Sequence, residues 1–151
     1  EHYAGPRLFA LPLARAGHAG VAGEENRAAV ADGEASARLN GIGRDRCRFL
    51  ARAVEAAVSG RAPLRGDAVV LDPPREGCAR EVLEAVFGRM LPAVAIYVSC
   101  NPEALARDLR LVTAHGYRID EMQPVDMFPH TAHVETVVRL VRSLTPSRHG
   151  A

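Results

Sequence analysis

The stretch Ala68-Val-Val-Leu-Asp-Pro-Pro74 decides the fold class of this chain. Its four apolar residues suit a buried strand, which must end where two prolines follow Asp72, because proline cannot donate a hydrogen bond to a sheet. Apolar residues then recur at helical spacing over residues 81–90, and a second buried-strand run covers residues 94–99. A strand, a helix and a strand in this order predict a parallel βαβ unit.

The alternation of strands and helices continues on both sides of this unit. The chain closes with two strands that no helix separates, over residues 117–124 and 133–141. We therefore predict an α/β fold with a mostly parallel sheet, helices on both faces and a closing strand pair. The other predicted helices cover residues 8–15, 26–39, 54–58 and 102–115, and the other strands cover 19–23 and 47–51.

Composition narrows the class of protein. The 151 residues carry 19 Lys and Arg against 18 Asp and Glu, which argues against a strongly basic nucleic-acid-binding tail and against an acidic solvating one. The length fits one domain. No apolar run approaches the roughly 20 residues that span a bilayer, and no secretory signal is recognisable. Because three cysteines cannot all pair within one chain, we predict a cytoplasmic location.

The residues that follow the predicted strands are the candidates for chemistry, because open parallel sheets bind ligands at the carboxyl ends of their strands. Cys100 precedes a predicted helix start, where the helix dipole and free N–H groups stabilise a thiolate. Asp72 lies in a rigid acidic turn. Glu135 is a charged residue in an apolar strand, which is costly unless the residue is exposed, paired or used. A buried structural cysteine and a plain turn aspartate are the alternative interpretations.

The first residues outline a nucleotide-cofactor turn. Tyr3-Ala-Gly5 precedes a predicted helix, and Glu25 lies 20 residues after Gly5, the spacing at which an acidic residue meets ribose hydroxyls. Arg7 stands where a second glycine is expected, so the pattern is weak on its own. A β-carbon at this position also opposes the close approach of a cofactor to the backbone.

The histidines and the remaining cysteines indicate no further site. His130 and His133 lie three residues apart in a loop without a cysteine or carboxylate pattern, so we predict no metal site. Cys47 and Cys78 are interpreted as small apolar residues.

Three segments together resemble, in order and spacing, the signature segments of the RNA 5-methyluridine (uracil-C5) methyltransferases. They are residues 72–77 (DPPREG), 99–108 (SCNPEALARD) and 126–135 (DMFPHTAHVE). Residues 3–5 and 21–25 look like the cofactor turn and the ribose-binding acid of the same family. The resemblance runs over residues 1–144. The sequence of residues 125–129 is more similar to the 23S ribosomal-RNA branch of the family than to the transfer-RNA branch.

The resemblance implies a Rossmann-like class I methyltransferase fold, with an antiparallel last strand, and a covalent mechanism. Cys100 corresponds to the nucleophile that adds to C6 of a uridine, and Glu135 to the base that removes the C5 proton. Asp72 corresponds to an acidic residue between the cofactor and the target base. Pocket or supporting positions of the family match Arg75, Asn101, Phe128 and His133.

The implied cofactor is S-adenosyl-L-methionine, and the implied partner is RNA, ribosomal rather than transfer RNA, with no membrane. Tyr3, Gly5, Glu25 and Asp72 correspond to the cofactor-binding residues, with Glu25 on the ribose.

The resemblance further implies that residues 1–144 are the C-terminal catalytic domain of a longer enzyme, followed by a flexible tail over 145–151. The first strand of the sheet, the family's RNA-binding barrel and, in some members, an iron–sulfur cluster would lie outside this chain. We expect the isolated chain to be unstable or to aggregate, because the strands ending near Gly23 and Leu71 would have unpaired edges.

Three other functions stay open. A non-catalytic remnant of the fold that binds RNA or a partner chain would tolerate Arg7. A methyltransferase of base amino groups also uses an acidic Pro-Pro turn, but it needs neither Cys100 nor Glu135. A cysteine hydrolase would pair Cys100 with His130 or His133, although no oxyanion loop can be named.

Overall fold

A computed structural model of the protein describes residues 7–52, 66–127, 129–131 and 134–143, with side chains from residue 9 onwards. The chain divides into two compact units, residues 1–63 and 64–151. Among the described helices, none is long and apolar enough to cross a membrane.

The first unit packs two helices against two parallel strands. The core formed by its described residues consists of small side chains around the ring of Phe49: Ala14, Ala22, Ala37, Cys47 and Phe49 are all buried. Gly33 allows close helix packing, since a β-carbon there would lie 2.7 Å from Cε1 of Phe49. The elements are α1 (Arg7–Arg15), β1 (Gly20–Glu24), α2 (Arg27–Leu39) and β2 (Cys47–Ala51), and β1 pairs with β2.

The second unit contains a four-stranded mixed sheet, and its helices connect successive strands along the chain. The elements are β3 (Ala68–Leu71), α3 (Arg80–Leu83), which continues as a π-helical segment (Glu84–Met90), β4 (Val94–Ser99), α4 (Pro102–Ala114), β5 (Tyr117–Val125) and β6 (Glu135–Arg142). The strand order is β3-β4-β6-β5. β3 and β4 are parallel, whereas β6 is antiparallel to both of its neighbours.

Alternation along β4 determines where the core of this unit lies. Ala95, Tyr97 and Ser99 are buried, while the residues between them are half-buried. The buried face carries the helices, because the Tyr97 hydroxyl meets Asp108 of α4. The largest fully buried side chains include Tyr97, Phe87, Leu83, Leu140, Val86, Val112 and Val138.

The predicted fold class is confirmed, and so is the antiparallel last strand. Three strands have the predicted bounds: residues 47–51, 68–71 and 94–99. Among the described residues β1 pairs with β2 and β3 with β4, but the two pairs are not hydrogen-bonded to one another, so two sheets are present. The strands that end near Gly23 and Leu71 therefore each have one unpaired edge in the described part of the chain, as expected.

The helix predicted over residues 81–90 has a different hydrogen-bond pattern. Only its first residues are α-helical, and the segment closes with a π-type bond from the Leu91 N–H to the Val86 carbonyl (2.9 Å). Leu91 then adopts a left-handed conformation with φ of 54°. Periodicity fixes the buried face but not the pitch, because an α-turn and a π-turn bury the same few side chains over so short a length. The predicted helix at residues 54–58 and the tail at 145–151 lie outside the described residues.

Candidate functional site

The end of the β4–β6 ladder brings Cys100 and Glu135 to one edge of the sheet. The last pair of the ladder is Ser99 with Thr136. Cys100 directly follows Ser99, and Glu135 directly precedes Thr136, so both lie one residue beyond this pair on neighbouring strands. Both are half-buried. The structure therefore places a thiol and a carboxylate beside each other at the carboxyl end of β4.

Asp72 lies at the same edge, because it follows Leu71, the last residue of β3, and β3 is parallel to β4. The residue is exposed as a whole, but partial burial of its carboxylate raises the pKa of Asp72, and the negative charge of Glu135 raises this pKa further. The charge of one carboxylate is thus felt by the other.

A short hydrogen-bonded turn holds the backbone on both sides of Cys100. The Ser99 hydroxyl donates to the Asn101 carbonyl (3.0 Å) and accepts from the Asn101 N–H (3.2 Å). The Asn101 side chain caps α4, since its Oδ1 accepts from the Glu103 N–H (3.0 Å). Cys100 is therefore fixed immediately before the N-terminus of α4.

The 72–78 loop, which follows β3, is held against the start of α4. Asn101 Nδ2 donates to the Arg75 carbonyl (2.9 Å), and Arg107 Nη2 donates to the Glu76 carbonyl (2.6 Å). The Cys78 N–H donates to Asp108 Oδ2 (2.8 Å). The segment that begins with Asp72 and the segment that contains Cys100 therefore share one hydrogen-bonded frame.

Gly77 is required at the centre of this frame for two reasons. Its φ is +84°, in the left-handed region that side chains disfavour. A β-carbon would also lie 2.5 Å from Arg107 Nη2 and 2.6 Å from Asp108 Oδ2. Space and backbone conformation thus explain the glycine of the DPPREG segment.

Asp108 is fully buried on α4 and accepts four hydrogen bonds. Besides Cys78, its partners are the Tyr97 hydroxyl (2.5 Å) and the Nε and Nη2 atoms of Arg107 (2.9 and 2.8 Å). Burial, and then the hydrogen bond to Asp108, raises the pKa of Tyr97, so the phenol stays protonated and donates.

Tyr97, Arg107 and Asp108 were not predicted as site residues, although the last two lie within the segment 99–108 that resembles the family. A signal for Asp108 is present in the sequence. It lies three residues after Leu105 and four before Val112, on the apolar face of its helix, where an unpaired charge is costly.

In the first unit, Glu25 follows the carboxyl end of β1, as the ribose-binding interpretation requires. The neighbouring Glu24 is engaged locally, because its Oε1 accepts from the Asn26 N–H (2.8 Å). Glu25 is exposed and, in the part of the chain that is described, has neither a hydrogen bond nor an ion pair. Its carboxylate is available to accept hydrogen bonds from hydroxyl groups.

Some predicted site residues belong to the part of the chain that is not described. Tyr3, Gly5, Phe128 and His133 lie outside the described residues, as does the side chain of Arg7. His130 is exposed with a φ of 68°. No group of three or more His, Cys, Asp or Glu that could hold a metal occurs among the residues with described positions.

The two other cysteines differ from each other. Cys47 is buried in the first unit, as predicted, and burial raises the pKa of its thiol. Cys78 is only half-buried, because it begins the connection to α3 and is not part of a packed strand.

Known proteins are similar to this chain over most of its length. The family model described as tRNA (Uracil-5-)-methyltransferase matches residues 1–143. A protein of Gloeobacter violaceus named as an uncharacterized RNA methyltransferase is 49% identical over 143 residues, which are 95% of this chain and 30% of that protein. A Synechocystis protein with the same designation is 43% identical over 141 residues, 93% of this chain and 30% of that protein. The chain thus spans about 30% of the length of these curated relatives.

Solved structures share the architecture. Pyrococcus abyssi tRNA (uracil-54, C5)-methyltransferase, in complex with S-adenosyl-L-homocysteine, matches with a TM-score of 0.76 at 34% identity, over 88% of this chain and 31% of that chain. Magnesium protoporphyrin IX methyltransferase of Synechocystis matches with a TM-score of 0.71 over 92% of this chain and 70% of that chain, but its 13% identity shows the fold alone. Since the family model covers nearly the whole sequence and the relatives are similar over the same length, this chain belongs to the tRNA (uracil-5-)-methyltransferase family.

Proposed function

We propose that the protein takes part in methylating C5 of a uridine in RNA, with S-adenosyl-L-methionine as the methyl donor. The observation that carries this proposal is the ladder end, which sets Cys100 beside Glu135 and both near Asp72. Family membership supports the reaction class.

Two described residues suit S-adenosyl-L-methionine, each considered within its own unit. In the first unit, Glu25 is exposed at the carboxyl end of a parallel strand and has no hydrogen bond or ion pair among the described residues, which suits ribose hydroxyls. In the second unit, Asp72 follows the carboxyl end of β3. Tyr3 and Gly5 complete the proposed cofactor-binding set from outside the described residues. When bound, S-adenosyl-L-methionine supplies an electrophilic methyl group.

The chain's own residues perform the remaining steps. C5 of uracil is a poor nucleophile, so the Cys100 thiolate adds to C6, forming an S–C6 bond and moving the electron pair of the C5–C6 double bond into an enolate. C5 would then accept the methyl group from the bound donor, with the C5–CH3 bond forming as the bond from the methyl carbon to the donor's sulfonium sulfur breaks and S-adenosyl-L-homocysteine is left. Glu135 removes the C5 proton, the double bond re-forms, and the S–C6 bond breaks to release the thiolate. The target uridine must leave any base stack for Cys100 to reach C6.

The proposed substrate is ribosomal RNA, on the resemblance of residues 125–129 to that branch of the family. The Pyrococcus abyssi relative is named for a tRNA uridine, so tRNA is the other RNA to assay. We also propose that residues 1–144 act as the catalytic domain of this activity. Assays therefore use both the chain itself and a chimera in which it replaces the matching part of the Gloeobacter relative.

A 5-fluorouridine-containing RNA tests the covalent mechanism. Fluorine at C5 cannot leave as a proton, so the enzyme is expected to stay attached to the RNA after methyl transfer and to migrate as an adduct on a denaturing gel. Cys100→Ala is expected to abolish the adduct, whereas Cys78→Ser, a change at another half-buried cysteine, is expected to retain it.

Glu135→Gln tests the role of Glu135 as the base separately from the role of Cys100 as the nucleophile. Without the base, the adduct is expected to accumulate on ordinary uridine RNA, because C5 keeps its proton after methylation. Methyl transfer by Cys100→Ala would contradict the covalent mechanism and favour a methyltransferase of another class. Absence of any transfer or adduct in the chimera, with both RNAs, would contradict the proposed function.

A further inference from the structure

Burial of the Asp108 carboxylate costs free energy that an apolar side chain at this position would not cost. The residue is fully buried, although its helix neighbours on the same face are aliphatic. A buried ion pair adds little stability over well-packed apolar residues, because both charges lose their hydration. An aliphatic residue would fill the same space, but it would not supply the four hydrogen bonds that Asp108 accepts.

These hydrogen bonds are directed at the strand and loop that lead to the candidate site. Tyr97 lies on β4, three residues before Cys100, and its hydroxyl donates a hydrogen bond to Asp108 Oδ2. The same oxygen receives the N–H of Cys78, at the end of the loop that starts with Asp72. The other oxygen orients Arg107, whose Nη2 also holds the Glu76 carbonyl. One buried carboxylate therefore connects β4, α4 and the 72–78 loop.

We infer that Asp108 is a positioning residue, which through Tyr97, Arg107 and the Cys78 peptide fixes the 72–78 loop, and with it the Asp72 carboxylate, relative to Cys100. The inference rests on the proposed function for its catalytic consequence, but the fixing of the loop does not. Asp108 touches neither substrate nor cofactor in this scheme. Its effect is to keep Asp72 and Cys100 at a constant separation while the uridine changes from planar to tetrahedral at C6.

Asp108→Asn and Tyr97→Phe test the inference. Asn keeps the shape but weakens the acceptor shared by Tyr97 and Cys78, and Phe removes one donor. The matched control is Tyr117→Phe, which also removes a buried hydroxyl hydrogen bond, to the Pro92 carbonyl (2.7 Å), but at the opposite edge of the sheet.

Both test variants are expected to lower kcat for methyl transfer by about tenfold to a hundredfold, the range for misplaced catalytic groups, with KM for RNA changed less than about threefold. Tyr117→Phe is expected to lose stability but to keep kcat. Loss of kcat in Tyr117→Phe equal to that in Tyr97→Phe would overturn the inference, because the effect would then be one of general stability.

Hydrogen exchange gives a readout that does not depend on activity. Asp108→Asn is expected to speed exchange at the Cys78 amide by about tenfold or more, since a buried hydrogen bond to a charged acceptor is weakened. Tyr117→Phe is expected to leave this amide unchanged. Unchanged exchange at Cys78 in Asp108→Asn overturns the inference even if the enzyme is active. Faster exchange in a chimera without methyl transfer would uphold the fixing of the loop and contradict only the proposed function.

Discussion

At the scale of single residues, Asp72 shows how a candidate site opposes stability. Its pKa is raised by partial burial and by the charge of Glu135, so the folded state prefers the protonated carboxyl. Ionisation therefore destabilises the fold as the pH rises through the pKa of the unfolded state, near 4, and up to the raised pKa of the folded state.

Asp72→Asn removes this penalty. The variant is expected to melt at a higher temperature than the parent at pH 7, and the difference is expected to vanish below about pH 4, where Asp72 is protonated in both the folded and the unfolded state. Methyl transfer by the variant is expected to fall. Thermal melts over a pH series are the measurement. A variant less stable than the parent at pH 7 would show that the carboxylate makes stabilising contacts.

At the scale of elements, the junction of β4 and α4 combines two tasks in one side chain. Asn101 Oδ1 caps the helix while Nδ2 holds the Arg75 carbonyl. Asn26 has the same capping geometry on α2, with Oδ1 accepting from the Ala28 N–H (2.9 Å), but it has no such second contact in the described residues.

Substitutions at Asn101 can separate the two tasks. Asp caps a helix as well as Asn does, so Asn101→Asp is expected to keep the cap but to lose the donor to Arg75, which lowers the free energy of unfolding by about 0.5–1.5 kcal/mol and slows adduct formation. Asn101→Ala loses the cap as well and is expected to be about 1 kcal/mol less stable than Asn101→Asp. Chemical denaturation and the 5-fluorouridine assay measure the two effects. Asn26→Asp is the control, and it is expected to change neither; equal adduct rates in Asn101→Asp and the parent would contradict the role of the Arg75 contact.

The elements also show how much the sequence could predict. The bounds of β3 and β4 follow from short apolar runs that proline or polar residues end, and Cys100 and Asp72 were found because they come directly after those runs. Strand bounds and the residues that directly follow a strand can therefore be predicted from short stretches of sequence. The contact of Tyr97 with Asp108 joins residues 11 apart, and that of Cys78 with Asp108 joins residues 30 apart. Neither could be predicted, because Tyr97 meets Asp108 only once α4 packs on the sheet, and Cys78 meets Asp108 only once the 72–78 loop folds back on α4.

At the scale of the whole molecule, the two units differ in how much apolar surface their cores bury. The second unit buries Phe87, Leu83, Leu140 and Tyr97 completely. In the described part of the first unit, the buried core residues besides Phe49 are three alanines and a cysteine, and Leu11, Val30 and Ile42 are partly buried against them. Because the free energy of unfolding grows with buried apolar area, we expect the stability of the first unit to be sensitive to loss of the Phe49 ring.

Phe49→Ala is expected to lower the stability of the first unit by about 3 to 5 kcal/mol, the range for removal of a buried phenylalanine. Hydrogen exchange across Arg27–Leu39 and Gly20–Glu24 measures this, and both segments are expected to lose most of their protection. Leu39→Ala, at a side chain that is 89% exposed, is the control and is expected to stay within about 0.5 kcal/mol. Retained protection in Phe49→Ala would mean that the core does not depend on this ring.

The fastening of the 72–78 loop also limits how evolution can alter the protein. The carbonyls of Arg75 and Glu76 and the amide of Cys78 are each held by a different side chain at or near the start of α4. An insertion or deletion of one residue would move all three peptide groups away from their partners at once, whereas an exchange of an exposed side chain leaves them in place. Natural variation in this segment is therefore expected to change the identity of exposed residues but not the length of the loop. The loop then keeps the spacing between Asp72 and Cys100 constant.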